Sequence, residues 1–195
     1  MLQDLTPLHG PYTWTRLDRQ GFQQHFQLIY RQALAGTGAF VLPQHRWRNK
    51  SLADGEWYFG VFLGQEPVAF HYGTPVEPRV YRMRNSAVAA THQGRGIYSA
   101  LLRVVMAEAI ASGYRRLESQ HRADNNGILV PKLKAGFHIC GLEINPRLGT
   151  LVKLVHFTDE LPREMLAFRT GSLPLTARLA GLLPKPKPKR GGLSE

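Results

Sequence analysis

Apolar and polar positions divide the chain into segments of two periods. From about Asp18 to Ala35 the apolar residues Phe22, Phe26, Ile29, Tyr30, Ala33 and Leu34 recur at helical spacing and Gly36 follows as a stop, which predicts an amphipathic helix packed on a sheet. Trp57 to Leu63 and Pro67 to Tyr72 are rich in aromatic and β-branched residues around the turn Gly64-Gln65-Glu66, and together they predict a hairpin. A Pro/Gly-rich link at 73–78 leads to a third strand, Val80 to about Ala90. Further strands are expected at Leu117–His121, 137–145 and 150–158, and a thinner signal places a first strand at 12–18. Residues 36–55 hold glycines, Pro43 and the basic residues Arg46, Arg48 and Lys50, and are expected to form a solvated loop.

The stretch Ala87 to Ser112 organises the rest. It enters as a strand, turns through Gly94 and Gly96, and continues into a helix whose only charged residues are Arg103 and Glu108, so that helix must be buried. A glycine turn feeding a helix aims unpaired N–H groups and the positive end of the macrodipole at one spot, which suits a phosphate. Gln93-Gly94-Arg95-Gly96-Ile97-Tyr98 lacks the Gly-Lys-Ser/Thr ending of an ATP-binding loop, and no ribose-reading acid follows at dinucleotide-fold spacing.

The loop resembles the pyrophosphate loop of the GNAT superfamily of acyl-CoA-dependent N-acyltransferases, Gln/Arg-x-x-Gly-x-Gly/Ala. Gln93 and Gly96 match, while Tyr98 stands where that pattern has Gly or Ala. A second match lies at Asn125 to Phe137, where Asn125, Lys134, Gly136 and Phe137 fall in the family's register and Lys132 occupies the position usually held by Tyr. The resemblance covers about residues 12–158. It implies a mixed α/β fold with a central, mostly antiparallel sheet flanked by helices. The implied activity is transfer of an acetyl (acyl) group from acetyl-CoA to a primary amine by direct attack in a ternary complex.

The resemblance also distributes roles. Backbone N–H groups from Gly94 through Ile97, Tyr98 and Ser99 would hold the pyrophosphate, with Arg95 adding charge and Gln93 shaping the loop. The pantetheine arm would pair with Val88, Ala89 and Ala90, where a backbone N–H reaches the thioester oxygen, and Asn125 would support it from the other side; a plain helix cap is the alternative for Asn125. Lys132 could steady or protonate the departing thiolate, or point into solvent, and Tyr98 and Tyr72 are other possible donors. Candidates for the base are Glu118, His121, His71 or a water chain. Simple alternation puts Arg82, Arg84 and Ser86 on one strand face, and the two arginines there would favour an acceptor bearing a carboxylate or phosphate. The basic stretch at 36–55 would be an alternative wall of the acceptor site.

Composition adds charge to this picture. The chain of 195 residues carries a formal +11, of which residues 184–195 supply only +3, so the body attracts polyanions, including a coenzyme with three phosphates. Its length suits a domain at 1–158, a helical extension at 159–183 with helices at 160–169 and 175–183, and a basic, disordered tail at 184–195. The opening MLQDLTPLHGPYTW lacks the order of a signal peptide, no run is long enough to span a bilayer, and the one cysteine, Cys140, forms no internal disulfide and is expected to be packed in a strand. A cytoplasmic enzyme is therefore expected, with a small-molecule or protein amine as acceptor, no metal, and a conceivable homodimer through the apolar segment 175–183. The rival readings are a silent CoA-binding module of the same fold and a nucleic-acid binder, although no recognisable nucleic-acid motif is present.

Overall fold

The computed structural model describes residues 6–34, 55–146 and 148–184. In chain order the elements are β1 Thr6–His9, β2 Tyr12–Arg16, α1 Arg19–Leu34, β3 Trp57–Leu63, β4 Glu66–Glu77, β5 Val80–Val88, α2 Ile97–Ala111, β6 Arg116–Arg122, α3 Asn126–Lys134, β7 His138–Asn145, β8 Gly149–Phe157, α4 Glu160–Arg169 and α5 Ala177–Ala180. The strands form one sheet in the order β1-β2-β3-β4-β5-β6-β8-β7. Every pairing is antiparallel except that of β5 with β6.

Helix α2 supplies Ile97, Tyr98, Leu101, Leu102, Val105 and Ala109 to a core that also takes Leu129 of α3 and Phe59, Tyr81, Met83 and Leu117 of the sheet. Phe22 and Ile29 of α1 pack with Tyr58, Phe70 and Ala89 in a second cluster on the opposite face. With both faces covered, β3 and the first half of β4 read as nearly continuous buried runs and not as alternating ones.

The sheet departs from the sequence expectation in four places. Strand β1 was not foreseen, because Thr6–His9 is short and mostly exposed. The link at 73–78 is strand as far as Glu77: β3 stops opposite Gly73, so Pro75 lies where no neighbour on that side needs its missing N–H. Strand β5 ends at Val88, and Ala90–His92 form a 3₁₀ turn. Cys140 is exposed, at a register shift between Ile139 and Gly141. The expected loop at 36–54 and the tail beyond residue 184 lie outside the described residues.

Residues 159–195 form a second compact unit, separate from the first at Met1–Thr158. Its apolar helix is shorter than expected, four residues at Ala177–Ala180, with Thr176 capping the Leu179 N–H. Arg178 bonds Glu160 at 3.0 Å. No helix among the described residues is long and apolar enough to cross a membrane.

Gly73 shows how closely β4 and β5 pack. A Cβ there would lie 2.1 Å from the Tyr81 hydroxyl, and that ring is itself held between Trp57 and Tyr114 at centroid distances of 4.7 and 5.4 Å. Gly73→Ala is therefore expected to destabilise the fold by about 3 kcal/mol, the upper end for overpacking, because the backbone and a clamped ring must both move. Urea denaturation checks this, and a loss under about 1 kcal/mol would show that the ring has room to shift.

Candidate functional site

The parallel pair β5–β6 is registered from Val80↔Arg116 to Met83↔Ser119 and no further. Both strands continue, to Val88 and Arg122, so beyond Met83 they part and leave an opening in the middle of the sheet. Ala89 N–H bonds the Val68 carbonyl at 2.8 Å and so points toward β4. By strand alternation Val88 and Ser86 turn their backbone N–H groups the other way, into the opening. Of the three residues expected to meet the pantetheine arm, Val88 thus carries the free N–H. The Ala89 donor is engaged, and Ala90 belongs to the 3₁₀ turn.

The glycine turn lies at the end of β5. Gly94 and Gly96 have φ of +74° and +77°, a conformation that a Cβ disfavours. Gly96 is the N-cap of α2 and offers no side chain, and Ala100 is the first residue whose N–H finds a helix partner. The N–H groups of Ile97, Tyr98 and Ser99 therefore have no intrahelical acceptor. Gln93 Nε2 donates to the Val88 carbonyl at 3.1 Å, tying the turn to the strand end, and Arg95 is exposed beside it. Tyr98 turns its ring into the core, which explains how a bulky residue fits a position that calls for a small one: the first turn presents backbone there, not side chain.

Lys132 lies on the α2 side of the opening. Its side chain is only 1 % exposed, against the expectation that it could reach solvent. Nζ donates to Met83 Sδ at 3.2 Å and stands 4.6 Å from the Phe137 ring centroid. These are poor substitutes for water or a carboxylate, so burial lowers the ammonium pKa from 10.5 to about 7. Helix α3 continues through Pro131 for nine residues. Asn125, its N-cap, is exposed and makes no side-chain cap bond, so the capping alternative is not observed.

The candidate bases fare differently. His121 has a buried Nε2 without a hydrogen-bond partner, and burial followed by the charge of Lys132 takes its pKa down to about 3. His71 is fully buried, with its pKa at about 3 for the same two reasons. Both rings are neutral at pH 7 and weakly basic. Glu118 is not free, since it pairs with Arg82 at 2.8 Å and Arg116 at 3.0 Å. Tyr72 gives its hydroxyl to Glu56 Oε1 at 2.8 Å, and burial together with that bond raises its pKa to about 12.

The expected alternation of Arg82, Arg84 and Ser86 fails at a bulge. Tyr72 pairs with Asn85 and Gly73 with Met83, which leaves Arg84 as the extra residue. Ser86 Oγ bonds His71 Nδ1 at 2.8 Å and His71 Nε2 meets the Tyr81 hydroxyl at 3.1 Å, so Ser86 shares the face of Tyr81 and Met83, opposite to Arg82. Arg82 is neutralised by Glu118, and Arg84 remains exposed, near enough to Tyr72 to act on its phenol.

Sequence reasoning missed three groups: the Ser86–His71–Tyr81 chain, the buried and unpartnered Ser119 Oγ at the last paired position of β6, and Glu56, whose Oε2 also receives the Tyr58 hydroxyl at 2.5 Å. A bulge-aware register of β5 against β4 would have revealed the first.

The unpaired N–H groups of the first turn of α2 follow the end of β5, and around the β5–β6 pair lie a buried ammonium at Lys132 and two buried side-chain atoms without hydrogen-bond partners, Ser119 Oγ and His121 Nε2. Among the described residues no group of three or more His, Cys, Asp or Glu could hold a metal ion.

Comparison with known proteins bears on the same region. The model of the acetyltransferase (GNAT) family matches residues 14–137. The ribosomal-protein-S18-alanine N-acetyltransferase of Escherichia coli is similar at 17% identity and a TM-score of 0.65, over 76% of this chain and 95% of that one. An N-acetyltransferase from Staphylococcus aureus Mu50 is similar at 20% identity and a TM-score of 0.62, over 76% and 99%. The IAA acetyltransferase of Bacillus cereus ATCC 14579 gives 16%, 0.60, 75% and 99%. No curated protein sequence matches significantly.

Proposed function

The chain belongs to the acetyltransferase (GNAT) family, and from that premise we propose that it transfers an acyl group, acetyl by default, from coenzyme A to a primary amine. The observation that carries this reading is the buried ammonium of Lys132 beside the opening between β5 and β6, where the family's usual Tyr is replaced.

Acyl-CoA supplies the activated thioester. Gly94 through Ser99 hold its pyrophosphate with backbone N–H groups, Arg95 screens the charge, and Gln93 keeps the turn on the strand end. The Val88 N–H donates to the thioester oxygen, and Asn125 lines the opposite wall. The amine nitrogen bonds the carbonyl carbon as the C–S bond breaks. Lys132 gives its proton to the departing sulfur, a transfer that an ammonium pKa near 7 makes easy. His71 and His121 are too weakly basic, and Glu118 too committed, to take the acceptor's proton, so that proton goes to water.

Thioester consumption by the purified chain, measured with acetyl-CoA and a panel of amines, tests the proposal. Turnover of any amine above the no-enzyme rate supports it. Binding of acetyl-CoA with no turnover across the panel would instead mark a CoA-binding module.

Acceptor choice carries a prediction of its own. Since Glu118 neutralises Arg82, the free guanidinium beside the strand is that of Arg84. Amines bearing a carboxylate or phosphate are expected to react with higher kcat/KM than neutral ones, and Arg84→Ala is expected to reduce that preference about tenfold. An unchanged ratio in the variant would remove Arg84 from acceptor selection.

A further inference from the structure

We propose that Ser86 is a hydrogen-bond donor of fixed direction at the thioester end of the site, with Tyr81 and His71 as the positioning residues that set that direction. This rests on the acyl-transfer reading above.

The Tyr81 ring is wholly buried, and burial holds its phenol protonated by raising its pKa well above the ordinary tyrosine value. A buried O–H needs an acceptor, and among the described residues the one hydrogen-bond neighbour of this hydroxyl is His71 Nε2 at 3.1 Å. Tyr81 therefore donates and Nε2 accepts. The neutral ring must then carry its proton on Nδ1. From there Nδ1–H donates to Ser86 Oγ at 2.8 Å. The opposite polarity, with Ser86 donating to Nδ1 and Nε2–H to the phenol oxygen, would leave the Tyr81 proton in the core with nothing to receive it.

Ser86 thus accepts on one side and keeps its own proton for elsewhere. No acceptor for that proton is found among the described residues. The residue stands three positions beyond Met83, where pairing with β6 ends, and on the face that Met83 and Lys132 share. Its proton is therefore available to a group that enters the opening in the sheet. A hydroxyl whose lone pair is already bound, and whose proton is free, is an oriented dipole awaiting negative charge. That charge develops on the thioester oxygen as the amine adds. Lys132 serves the sulfur and Ser86 the oxygen.

A chain of hydrogen bonds that merely pinned β4 to β5 would be indifferent to its direction, so direction is what the experiment reads. The full chain with ¹⁵N-labelled histidine is examined by two-bond nitrogen–proton NMR without ligand. His71 is expected as the Nδ1–H tautomer alone, and Tyr81→Phe, which removes the donor that fixes Nε2 as acceptor and frees Ser86 to donate to Nδ1, is expected to bring up a measurable Nε2–H population. Steady-state kinetics with acetyl-CoA and a competent amine are expected to show kcat reduced about 10²-fold in Ser86→Ala and to a similar degree in Tyr81→Phe, with the double variant no slower. Acetyl-CoA affinity, measured by calorimetry, should change less than about threefold in each, since the donor acts on charge that appears only in the reaction. Both substitutions remove a single hydroxyl and are expected to leave the fold intact.

An Nε2–H tautomer in the native chain overturns the proposal, as does a Tyr81→Phe protein whose tautomer changes and whose kcat does not. If the native chain turns over no amine at all, the acyl-transfer reading fails and this proposal fails with it. Turnover with the wrong tautomer removes this proposal alone.

Discussion

Lys132→Met is expected to lower kcat by about 10²-fold and at the same time to make the protein more stable at neutral pH. The two effects have one cause. An ammonium wrapped in Met83, Phe137 and the core is held in its charged form at a penalty, which its pKa of about 7 expresses. Between about pH 10 and pH 7 the unfolded chain takes up a proton that the folded chain refuses, so stability falls as pH drops through that window, and the deficit is complete below it. Methionine removes the deficit, on the order of 4 kcal/mol at most, and sits comfortably against a thioether and an aromatic ring. The melting temperature at pH 7 is expected to rise by about 5 °C or more, and the gain to vanish near pH 10.5. Rates provide the other half: the native enzyme should lose activity above about pH 7 as Lys132 gives up its proton, and the variant should lack that descending limb. A variant with native kcat would dismiss the lysine as acid, and one that melts lower at pH 7 would contradict its burial as a charge.

Gly96→Glu is expected to weaken acetyl-CoA binding by more than about 10²-fold. Space is not the obstacle, because the nearest atom to a Cβ at this position is His9 Nε2 at 3.4 Å. The difficulty is charge, with a modest backbone contribution. A carboxylate at the N-cap would occupy the focus of the unpaired N–H groups of α2 and repel the pyrophosphate from it. Any residue other than glycine at a φ of +77° adds about 1 kcal/mol of strain, so Gly96→Ala serves as the control that carries the strain without the charge. Calorimetric titration with acetyl-CoA, beside ATP, separates the contributions. Equal affinity in the glutamate and alanine variants would place the pyrophosphate somewhere other than this turn.

Much of this arrangement was legible in the sequence, for identifiable reasons. The mostly antiparallel sheet was implied by the GNAT resemblance of the two motifs, and apolar α2 announced a buried helix because hydrophobic pattern and glycine turns are local signals. The Gln93 to Ser99 turn was readable for the same reason. The environment of Lys132 was not. Whether a lysine on α3 meets solvent or Met83 depends on how far α3 tucks under a strand some fifty positions earlier, and nothing within the helix records that. Glu118 and His121 looked like bases because residue type is visible and surroundings are not: one is claimed by Arg82 and Arg116, and the other is desolvated beside a cation. Gly73 and Pro75 misled in the opposite direction, as breakers that here serve a strand beside a tyrosine ring and beyond the end of β3.

The extra residue at Arg84 acts on β5 as a half-period phase shift. Before it, odd-numbered residues such as Tyr81 and Met83 face α2; after it, the even-numbered Ser86 does. The position therefore encodes a length as well as a side chain. Exchanging Arg84 for another residue alters a surface charge, whereas deleting it would remove the bulge along with the extra residue and, by strict alternation, leave Ser86 on the face of Met83. Ser86 stays on the Lys132 side of the sheet with the extra residue bulged out or with it removed, and turns away only if the residue is kept and the strand is made regular.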